Sequence, residues 1–286
     1  LGIIVSPVPM QFRRHELEQI VDLTGARATL TVRALKGVDY AADAVLLGAG
    51  RKLLALCLGD DAPAGSLPFT PAKVTPESRA ALQEHVAALG VSADDVATVC
   101  WTSGTEGMPK GVPRTHNHWV AISYAHLHGA GIRRGESLLN PFPLINMAAI
   151  GGCFMSWLHC AGTLVLHHPL DLAVYLRQIA EEKPEYAIAP PALLNMLLKD
   201  EKLLASIDLS SLRCIGSGSA PLDPEMIRGY QDRFGIEIVN AFGSNEGVSL
   251  MSQALKKVDM DAIWQAHRPG TDPSQTCAQP GCRFGE

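Results

Sequence analysis

The sequence has no apolar run long enough to cross a membrane. Its longest apolar segment, residues 148–158, is interrupted by glycines and is shorter than the roughly 20 residues that a bilayer span requires. The first residues read Leu-Gly-Ile-Ile-Val-Ser-Pro, without an initiator methionine or the basic segment of a signal peptide. We therefore expect no membrane span, and we expect that the natural chain starts upstream of a buried strand at residues 3–8.

A strong excess of one charge is also missing. The chain has 24 basic and 29 acidic residues, a formal net charge of -5, and no long run of one sign. Proteins that bind nucleic acid or anionic membranes usually carry a basic patch or stripe. Neither kind of partner is therefore expected.

Closely spaced cysteine pairs are the third absence. No two cysteines form the C-x2-C pattern of a zinc or redox site, and most lie inside apolar runs. Reduced thiols in the core are the favoured interpretation. A reducing cytoplasm is expected, because an odd number of cysteines would leave one unpaired in a secreted chain. The seven are Cys57, Cys100, Cys153, Cys160, Cys214, Cys277 and Cys282.

What the sequence does contain is an alternation of short β-rich runs and amphipathic helical runs, which indicates an α/β fold with parallel sheets and crossover helices. Strands are predicted at residues 3–8, 28–32, 53–58, 96–101, 138–141, 163–166, 186–189, 212–215 and 237–241. Helices are predicted at residues 14–23, 41–47, 77–89, 118–128, 148–158, 171–182, 192–199 and 224–234.

The segment at residues 60–76 interrupts this alternation. It is rich in proline, glycine, alanine and aspartate and has no apolar period, which predicts a linker or surface crossing. We therefore expect a first, partial subdomain over residues 1–75 and a second over residues 76–255. Residues 256–286 lose the pattern and are expected to form a loop-like, truncated tail.

The most informative segment follows a predicted strand. Residues 99–116 read Val-Cys-Trp-Thr-Ser-Gly-Thr-Glu-Gly-Met-Pro-Lys-Gly-Val-Pro-Arg-Thr-His. Hydroxyl side chains alternate with glycines whose backbone N–H groups can converge, and Lys110 adds a cation, so the segment suits a phosphate group. It is not a Walker loop, because Gly111 rather than serine or threonine follows the lysine. Taken alone, a surface turn with an incidental lysine remains the alternative.

Two further segments begin as strands and end in small-residue turns. Residues 212–222 read Leu-Arg-Cys-Ile-Gly-Ser-Gly-Ser-Ala-Pro-Leu, and residues 238–247 read Ile-Val-Asn-Ala-Phe-Gly-Ser-Asn-Glu-Gly. A dinucleotide fingerprint is disfavoured because Pro221 stands where a third glycine belongs. No Gly-x-Ser-x-Gly motif occurs, so a serine hydrolase loses its main support.

These three segments, in this order, resemble the signatures of adenylate-forming enzymes, which include acyl-CoA synthetases, peptide-synthetase adenylation domains and luciferases. The usual forms are Thr-Ser-Gly-Thr-Thr-Gly-x-Pro-Lys-Gly, Gly-Gly-Ala-Pro-Leu and Tyr-Gly-x-Thr-Glu. The chain departs from them with Glu106 for a threonine, Ser219 for a glycine and Asn245 for a threonine. Residues 140–149 are similar to the family's Pro-Leu-Phe-His turn, with Asn146 in place of the histidine.

The resemblance implies the fold and the roles of individual residues. The fold would be the N-terminal domain of these enzymes, with two mostly parallel sheet-and-helix subdomains and the C-terminal domain absent. Phosphate would be held by Thr102, Ser103, Gly104, Thr105, Glu106, Gly107 and Lys110. Adenine and the α-phosphate would be bordered by Ser219, Ala220, Asn240, Ala241, Phe242, Gly243 and Asn245. Lys110 and Glu246 would be catalytic, with Glu246 also holding Mg²⁺, and the acyl pocket would include Asn146, Ala148 and Gly152.

The implied reaction joins a small apolar carboxylic acid to AMP at the expense of ATP and then transfers the acyl group to CoA, as in fatty acid metabolism. A medium-chain, alicyclic or aromatic acid is expected, and the family allows a homodimer. No histidine is expected to act: those at positions 116, 118, 126 and 128 are expected at the surface or on a helix flank. An adenylation module that loads a carrier protein, and a non-catalytic nucleotide-binding fragment, remain open alternatives.

Overall fold

The computed structural model describes residues 2–102, 109–247 and 249–252. Its α-helices are α1 (Arg14–Thr24), α2 (Tyr40–Gly48), α3 (Pro76–Leu89), α4 (His116–Gly129), α5 (Met147–Ala149), α6 (Ser156–Cys160), α7 (Leu172–Glu182), α8 (Pro191–Lys199), α9 (Glu201–Ala205) and α10 (Pro224–Phe234). Its strands are β1 (Ala28–Val32), β2 (Leu54–Leu58), β3 (Leu67–Phe69), β4 (Val96–Thr102), β5 (Lys110–Thr115), β6 (Ser137–Asn140), β7 (Thr163–Leu166), β8 (Tyr186–Ile188), β9 (Cys214–Gly218), β10 (Glu237–Gly243) and β11 (Ser249–Met251).

Side-chain caps define where several helices begin. The side chain of Asp171 accepts a hydrogen bond from the backbone N–H of Val174 at the start of α7, and Asp223 accepts one from Glu225 at the start of α10. Each cap satisfies a backbone donor that has no partner within the helix. Helix α10 ends at Gly235, whose φ of 67° is a left-handed conformation that glycine adopts without strain.

A small parallel sheet of three strands, in the order β1-β2-β3, forms near the start of the chain. Its third strand lies inside residues 60–76, which were predicted to be a linker, so that prediction is wrong for residues 67–69. Pro68 interrupts the apolar pattern there. Proline is tolerated because β3 is an edge strand. Backbone N–H groups on the side of β3 without a neighbouring strand are not needed for sheet hydrogen bonds.

The large sheet has six strands in the order β11-β10-β9-β8-β6-β7, parallel except for the antiparallel edge pair β10–β11. Successive residues of a strand point to opposite faces of the sheet. Leu139, Ala187 and Ile215 join a core that includes residues of α7, α8 and α10. Leu138 and Tyr186 join a second core that includes Cys153 and Cys160, between the sheet and the helices after β6. The sheet is therefore covered on both faces, as parallel sheets usually are.

The strand order contains a reversal. The chain passes from β6 outward to β7, then returns across β6 to β8 and continues through β9 to β10. The connections after β6 and β8 consequently lie on opposite faces of the sheet. In open α/β sheets, ligands bind in the crevice that such a reversal leaves at the carboxyl ends of the strands.

Several predicted elements differ in the structure. Residues 3–8 form only one bridge, between Val5 and Thr98, and residues 3–5 are exposed. The prolines at positions 7 and 9 remove two donors that a longer pairing would need. Residues 110–115, treated as part of a loop, form β5, which pairs antiparallel with β4. Their Lys-Gly-Val-Pro-Arg-Thr composition lacks the usual strand alternation.

The helix predicted at residues 148–158 is divided. A π-helical turn at Ile150–Met155 separates α5 from α6, and it contains Gly151 and Gly152. Such turns often occur at functional sites. The short elements α9 and β11 were not predicted, and the predicted tail at residues 256–286 lies outside the described residues.

The expectations about membrane spans and cysteines can be compared with the described part of the chain. Within it, no helix is both long and apolar enough to span a bilayer. Its five cysteines are free, buried thiols.

Candidate active site

A cavity of about 330 Å³ lies at the carboxyl ends of β8, β9 and β10, beside the reversal in strand order. It therefore occupies the position where open α/β sheets bind ligands. Its walls are His126, Phe142, Asn146, Met147, Ala148, Ile188, Ala189, Gly216, Ser217, Gly218, Ser219, Ala241, Phe242, Gly243, Ser244, Asn245 and Ser249.

The turn after β9 brings backbone close to the cavity. An added Cβ on Gly218 would overlap the carbonyl oxygen of Ala241 on the neighbouring strand, so glycine allows β9 and β10 to approach here. Ser219 follows with φ 67°, a left-handed conformation that is strained for a residue with a side chain. This is the position where the resembling family usually has glycine. The turn thus holds a residue with a side chain in a conformation that glycine adopts without strain.

The end of β10 presents an aromatic side chain at the cavity. Phe242 lines the cavity and is 66% exposed, which leaves most of its surface available to a flat ligand. Ala241 and Gly243 line it as well. Two neighbours from the predicted adenine set, Ala220 and Asn240, do not line the cavity. The backbone N–H and carbonyl of Asn240 instead pair with Ser252.

Two asparagines hold the part of the cavity wall formed by residues 146–148. The Asn146 side-chain oxygen accepts a hydrogen bond from the Ala149 backbone N–H at 3.1 Å and so caps α5. The Asn245 side-chain oxygen accepts one from the Met147 N–H at 3.0 Å. Both asparagines and Ala148 line the cavity. The roles that the resemblance implies for them in ligand binding stay predictions. The Asn245 contact also ties the turn after β10 to the start of α5.

A group of charged and hydroxyl side chains lies next to this cavity. Thr102 and Lys110 face each other across the β4–β5 pair, and Glu246 stands beside them. The pKa of Glu246 is lowered, first by its own backbone N–H, then by the nearby Thr102 hydroxyl and, more weakly, by Lys110. The carboxylate is therefore ionised at neutral pH. We call these three residues the charged group.

The charged group offers oxygen ligands. The Thr102 Oγ1 atom is buried and forms no hydrogen bond of normal geometry with the described part of the chain, although it lies close enough to Glu246 to lower its pKa. Carboxylate and hydroxyl oxygens are hard ligands of the kind Mg²⁺ prefers. No cluster of three histidine, cysteine or acidic side chains suited to a metal occurs among the described residues. Glu246 and Thr102 therefore offer two oxygen ligands of this kind.

A buried arginine that was not predicted supports the charged group. Arg114 on β5 donates from Nη2 to the backbone carbonyl of Asn245, and also to those of Ser244 at 3.3 Å and Gly247 at 2.9 Å. The residues that carry these carbonyls lie immediately before and after Glu246 in the sequence. Arg114 thus fixes the turn that carries Glu246 to the strand that carries Lys110. The contacts join residues more than 125 positions apart, so local sequence patterns could not reveal them.

One histidine was wrongly predicted to lie at the surface. His126 on α4 is 3% exposed and lines the cavity, whereas His116, His118 and His128 are exposed. Tertiary packing explains the difference, because His126 lies one turn after the buried Ile122 and faces the π-helical turn. Helical spacing from Ile122 could have revealed this buried face.

The remaining predicted site residues divide into two sets. Gly152 does not line the cavity, but it contacts His126 from the π-helical turn. Five predicted phosphate-binding residues lie outside the described residues: Ser103, Gly104, Thr105, Glu106 and Gly107.

The fold and the strand-end cavity define an α/β protein with a crevice at a reversal of strand order. The comparison with protein families identifies the class. The chain belongs to the AMP-binding enzyme family, which it matches over residues 1–283. The predicted resemblance to adenylate-forming enzymes is thereby confirmed.

Known proteins similar to the chain agree with this class. 4-Coumarate–CoA ligase 3 of Arabidopsis thaliana is 26% identical over 89% of this chain and 44% of that enzyme. Feruloyl-CoA synthase of Amycolatopsis sp is 28% identical over 86% of this chain and 46% of that enzyme. An anthranilate CoA ligase solved with anthranoyl-AMP has a TM-score of 0.72 at 18% identity, over 90% of this chain and 49% of that chain. The chain spans less than half the length of these relatives, and the structural likeness confirms the predicted α/β fold.

Proposed function

We propose that this protein supplies the nucleotide-binding part of an acyl-CoA ligase that activates a carboxylic acid as an acyl-adenylate. One observation carries the proposal. The reversal in strand order places the turn at residues 216–219, the strand end at residues 241–243 and the wall at residues 146–148 around one cavity, next to Thr102, Lys110 and Glu246. A largely apolar pocket beside a charged group suits an adenylate and a leaving pyrophosphate.

The cavity would hold the adenosine and acyl groups. Phe242 offers a ring face for adenine, and the close-packed backbone at Gly218 and Ser219 borders the base. The acyl group would lie beside Asn146 and Ala148, where small side chains leave space. Met147 adds an apolar surface to this wall.

The charged group would hold the phosphates. Lys110 supplies a cation, and Thr102 supplies a hydroxyl donor, for the phosphates that leave as pyrophosphate. Glu246 with Thr102 would hold Mg²⁺, which when bound neutralises charge on the phosphate oxygens. Arg114 acts through the turn that it fixes and touches no substrate in this account. The protein's contribution is therefore positioning and charge neutralisation.

The chemistry has two steps. A carboxylate oxygen of the acid forms a bond to the α-phosphorus of ATP while the bond to pyrophosphate breaks. The sulfur of a thiolate then attacks the acyl carbon, and AMP leaves. Neither step needs a nucleophile from the protein.

Aromatic acids are the favoured substrate class. The relatives are named for coumarate, ferulate and anthranilate, all aromatic acids. The apolar cavity walls Phe142, Met147 and Ile188 are compatible with a ring. Alicyclic and medium-chain acids remain candidates, because apolar walls alone discriminate weakly between acyl groups of similar size.

Exchange of labelled pyrophosphate into ATP tests the proposal. The exchange is measured with a panel of aromatic, alicyclic and aliphatic acids, with Lys110→Ala and Glu246→Ala as controls. Acid-dependent exchange that is lost in both variants would support adenylation and name the acid. Exchange that persists in both variants would contradict the assigned roles.

The acceptor thiol needs a separate test. With the best acid, product is measured after adding CoA or a phosphopantetheinylated carrier protein. Thioester formation with CoA supports a CoA ligase, and transfer to the carrier protein alone supports a carrier-loading module. Mg-ATP binding without exchange would favour a nucleotide-binding role without catalysis.

A further inference from the structure

The ring of His126 lies at the cavity wall beside apolar side chains. On α4, the neighbouring residue Ile122 packs with Met147, and Leu127 packs in the same core as Phe142 and Ile188. Met147, Phe142 and Ile188 line the cavity together with His126. A histidine in such surroundings costs free energy unless its ring nitrogens are used.

One ring nitrogen is already engaged within the helix. Nδ1 of His126 lies 3.0 Å from the backbone carbonyl oxygen of Ile122. A carbonyl oxygen can only accept a hydrogen bond, so Nδ1 must carry the proton. Burial also lowers the pKa of His126, which favours the neutral ring. In the neutral ring Nε2 then has a lone pair and can only accept.

The other edge of the ring faces the π-helical turn at Gly152, which has no side chain to cover it. A Cβ added at Gly152 would lie 2.8 Å from Nε2 and 3.0 Å from Cδ2, so any residue with a side chain would press on this edge. Among the described residues, no hydrogen bond to Nε2 is found. An acceptor beside a ligand cavity thus lacks a donor from the surrounding protein.

We propose that Nε2 of His126 accepts a hydrogen bond from a donor carried by the acyl group, such as a hydroxyl, an amino group or a ring N–H. This inference rests on the proposed function, because it assumes that the acyl group occupies this cavity. It narrows the substrate class to acids that carry a hydrogen-bond donor. A site that offers a buried acceptor discriminates strongly against analogues that leave the acceptor unpaired.

Binding of stable acyl-adenylate analogues tests this without requiring turnover. Acyl-sulfamoyl adenosines are made from benzoate and cinnamate, from their hydroxylated forms at each ring position, and from the matching methoxy forms. Affinities are measured by calorimetry for the protein, for His126→Phe and for Gly152→Ala. His159→Phe, which changes an exposed histidine on α6 outside the cavity, is the matched control. Gly152→Ala keeps the test available if His126→Phe does not fold.

We expect at least one hydroxylated analogue to bind about tenfold or more tightly than its unsubstituted and methoxy forms. His126→Phe and Gly152→Ala should reduce this preference towards one, and His159→Phe should leave it intact. Equal affinity within every set, or a preference that survives His126→Phe, overturns the inference while leaving the proposed function in place. If no analogue binds at all, the proposed function itself is contradicted.

Discussion

The two parts of the candidate site are built differently. In the charged group, Lys110 and Glu246 are exposed side chains at the ends of regular elements, and their contribution is charge. In the cavity, the shape depends on close backbone approach at Gly218 and on buried side chains such as His126. We therefore expect that exposed residues of the charged group can be altered with little effect on folding, whereas changes in the cavity alter stability and ligand choice together.

The largest effect is expected in the charged group. Lys110→Ala and Glu246→Ala should each lower the rate of pyrophosphate exchange by about 10²- to 10³-fold, because each removes a preorganised charge near the phosphates. Unfolding by urea should be nearly unchanged, since both side chains are exposed. Lys202→Ala and Glu84→Ala, at exposed positions of α9 and α3, are matched controls that should retain full exchange. A comparable loss of exchange in the control variants would show that the effect is not specific to the charged group.

A smaller catalytic effect is expected from the buried support of the charged group. Arg114→Met leaves three backbone carbonyls without their donor, so the turn that carries Glu246 should shift. We expect exchange to fall by about 10²-fold, the scale of a small misplacement of a catalytic group. The Mg²⁺ concentration needed for half-maximal exchange should rise. Arg133→Met, at an exposed arginine, is the control, and an unchanged Mg²⁺ dependence would show that Arg114 does not position Glu246.

These contacts mark the limit of what the sequence could predict. Amphipathic helices such as α1, α7 and α10 were predicted closely, because their apolar spacing is local and their caps are readable. The segments at the ends of β9 and β10 were assigned to one site only through the resemblance of their motifs to those of adenylate-forming enzymes. Arg114 and Asn245 could not be assigned to their partners, because those contacts depend on how distant strands are arranged.

Within the cavity, close backbone approach should be sensitive to a single methyl group. Gly218→Ala would place a Cβ against the Ala241 carbonyl, and β9 and β10 would have to separate. Overpacking of this kind costs about 1–3 kcal/mol of unfolding free energy. Urea unfolding measures the loss, and AMP binding should weaken with it. An unchanged stability would show that the approach at Gly218 is relaxed without cost.

The buried histidine should make stability depend on pH. Burial lowers the pKa of His126 below its unfolded value near 6.5. Below that pH the unfolded chain binds a proton that the folded chain does not, so stability falls as pH decreases towards the folded pKa. The slope from this group is at most about 1.4 kcal/mol per pH unit. His126→Phe should therefore lose less stability than the unmodified protein between pH 7.5 and pH 5.5 in urea unfolding. Identical losses would contradict burial of the neutral ring.

The smallest effect is expected at the strained turn. Ser219→Gly replaces a residue at φ 67° with one that adopts this conformation freely, and it should increase the unfolding free energy by about 1 kcal/mol. The gain is measured by urea unfolding. A loss of stability would mean that the Ser219 side chain makes a contribution larger than the strain.

The central claim is that the cavity binds the adenylate and that the charged group binds the departing phosphates. It is tested most directly by measuring the affinities of AMP and of Mg-ATP for the protein and for Lys110→Ala and Glu246→Ala. We predict that both variants bind AMP as tightly as the unmodified protein and bind Mg-ATP more weakly. Equal weakening for both nucleotides, or no binding of AMP by the unmodified protein, would contradict it.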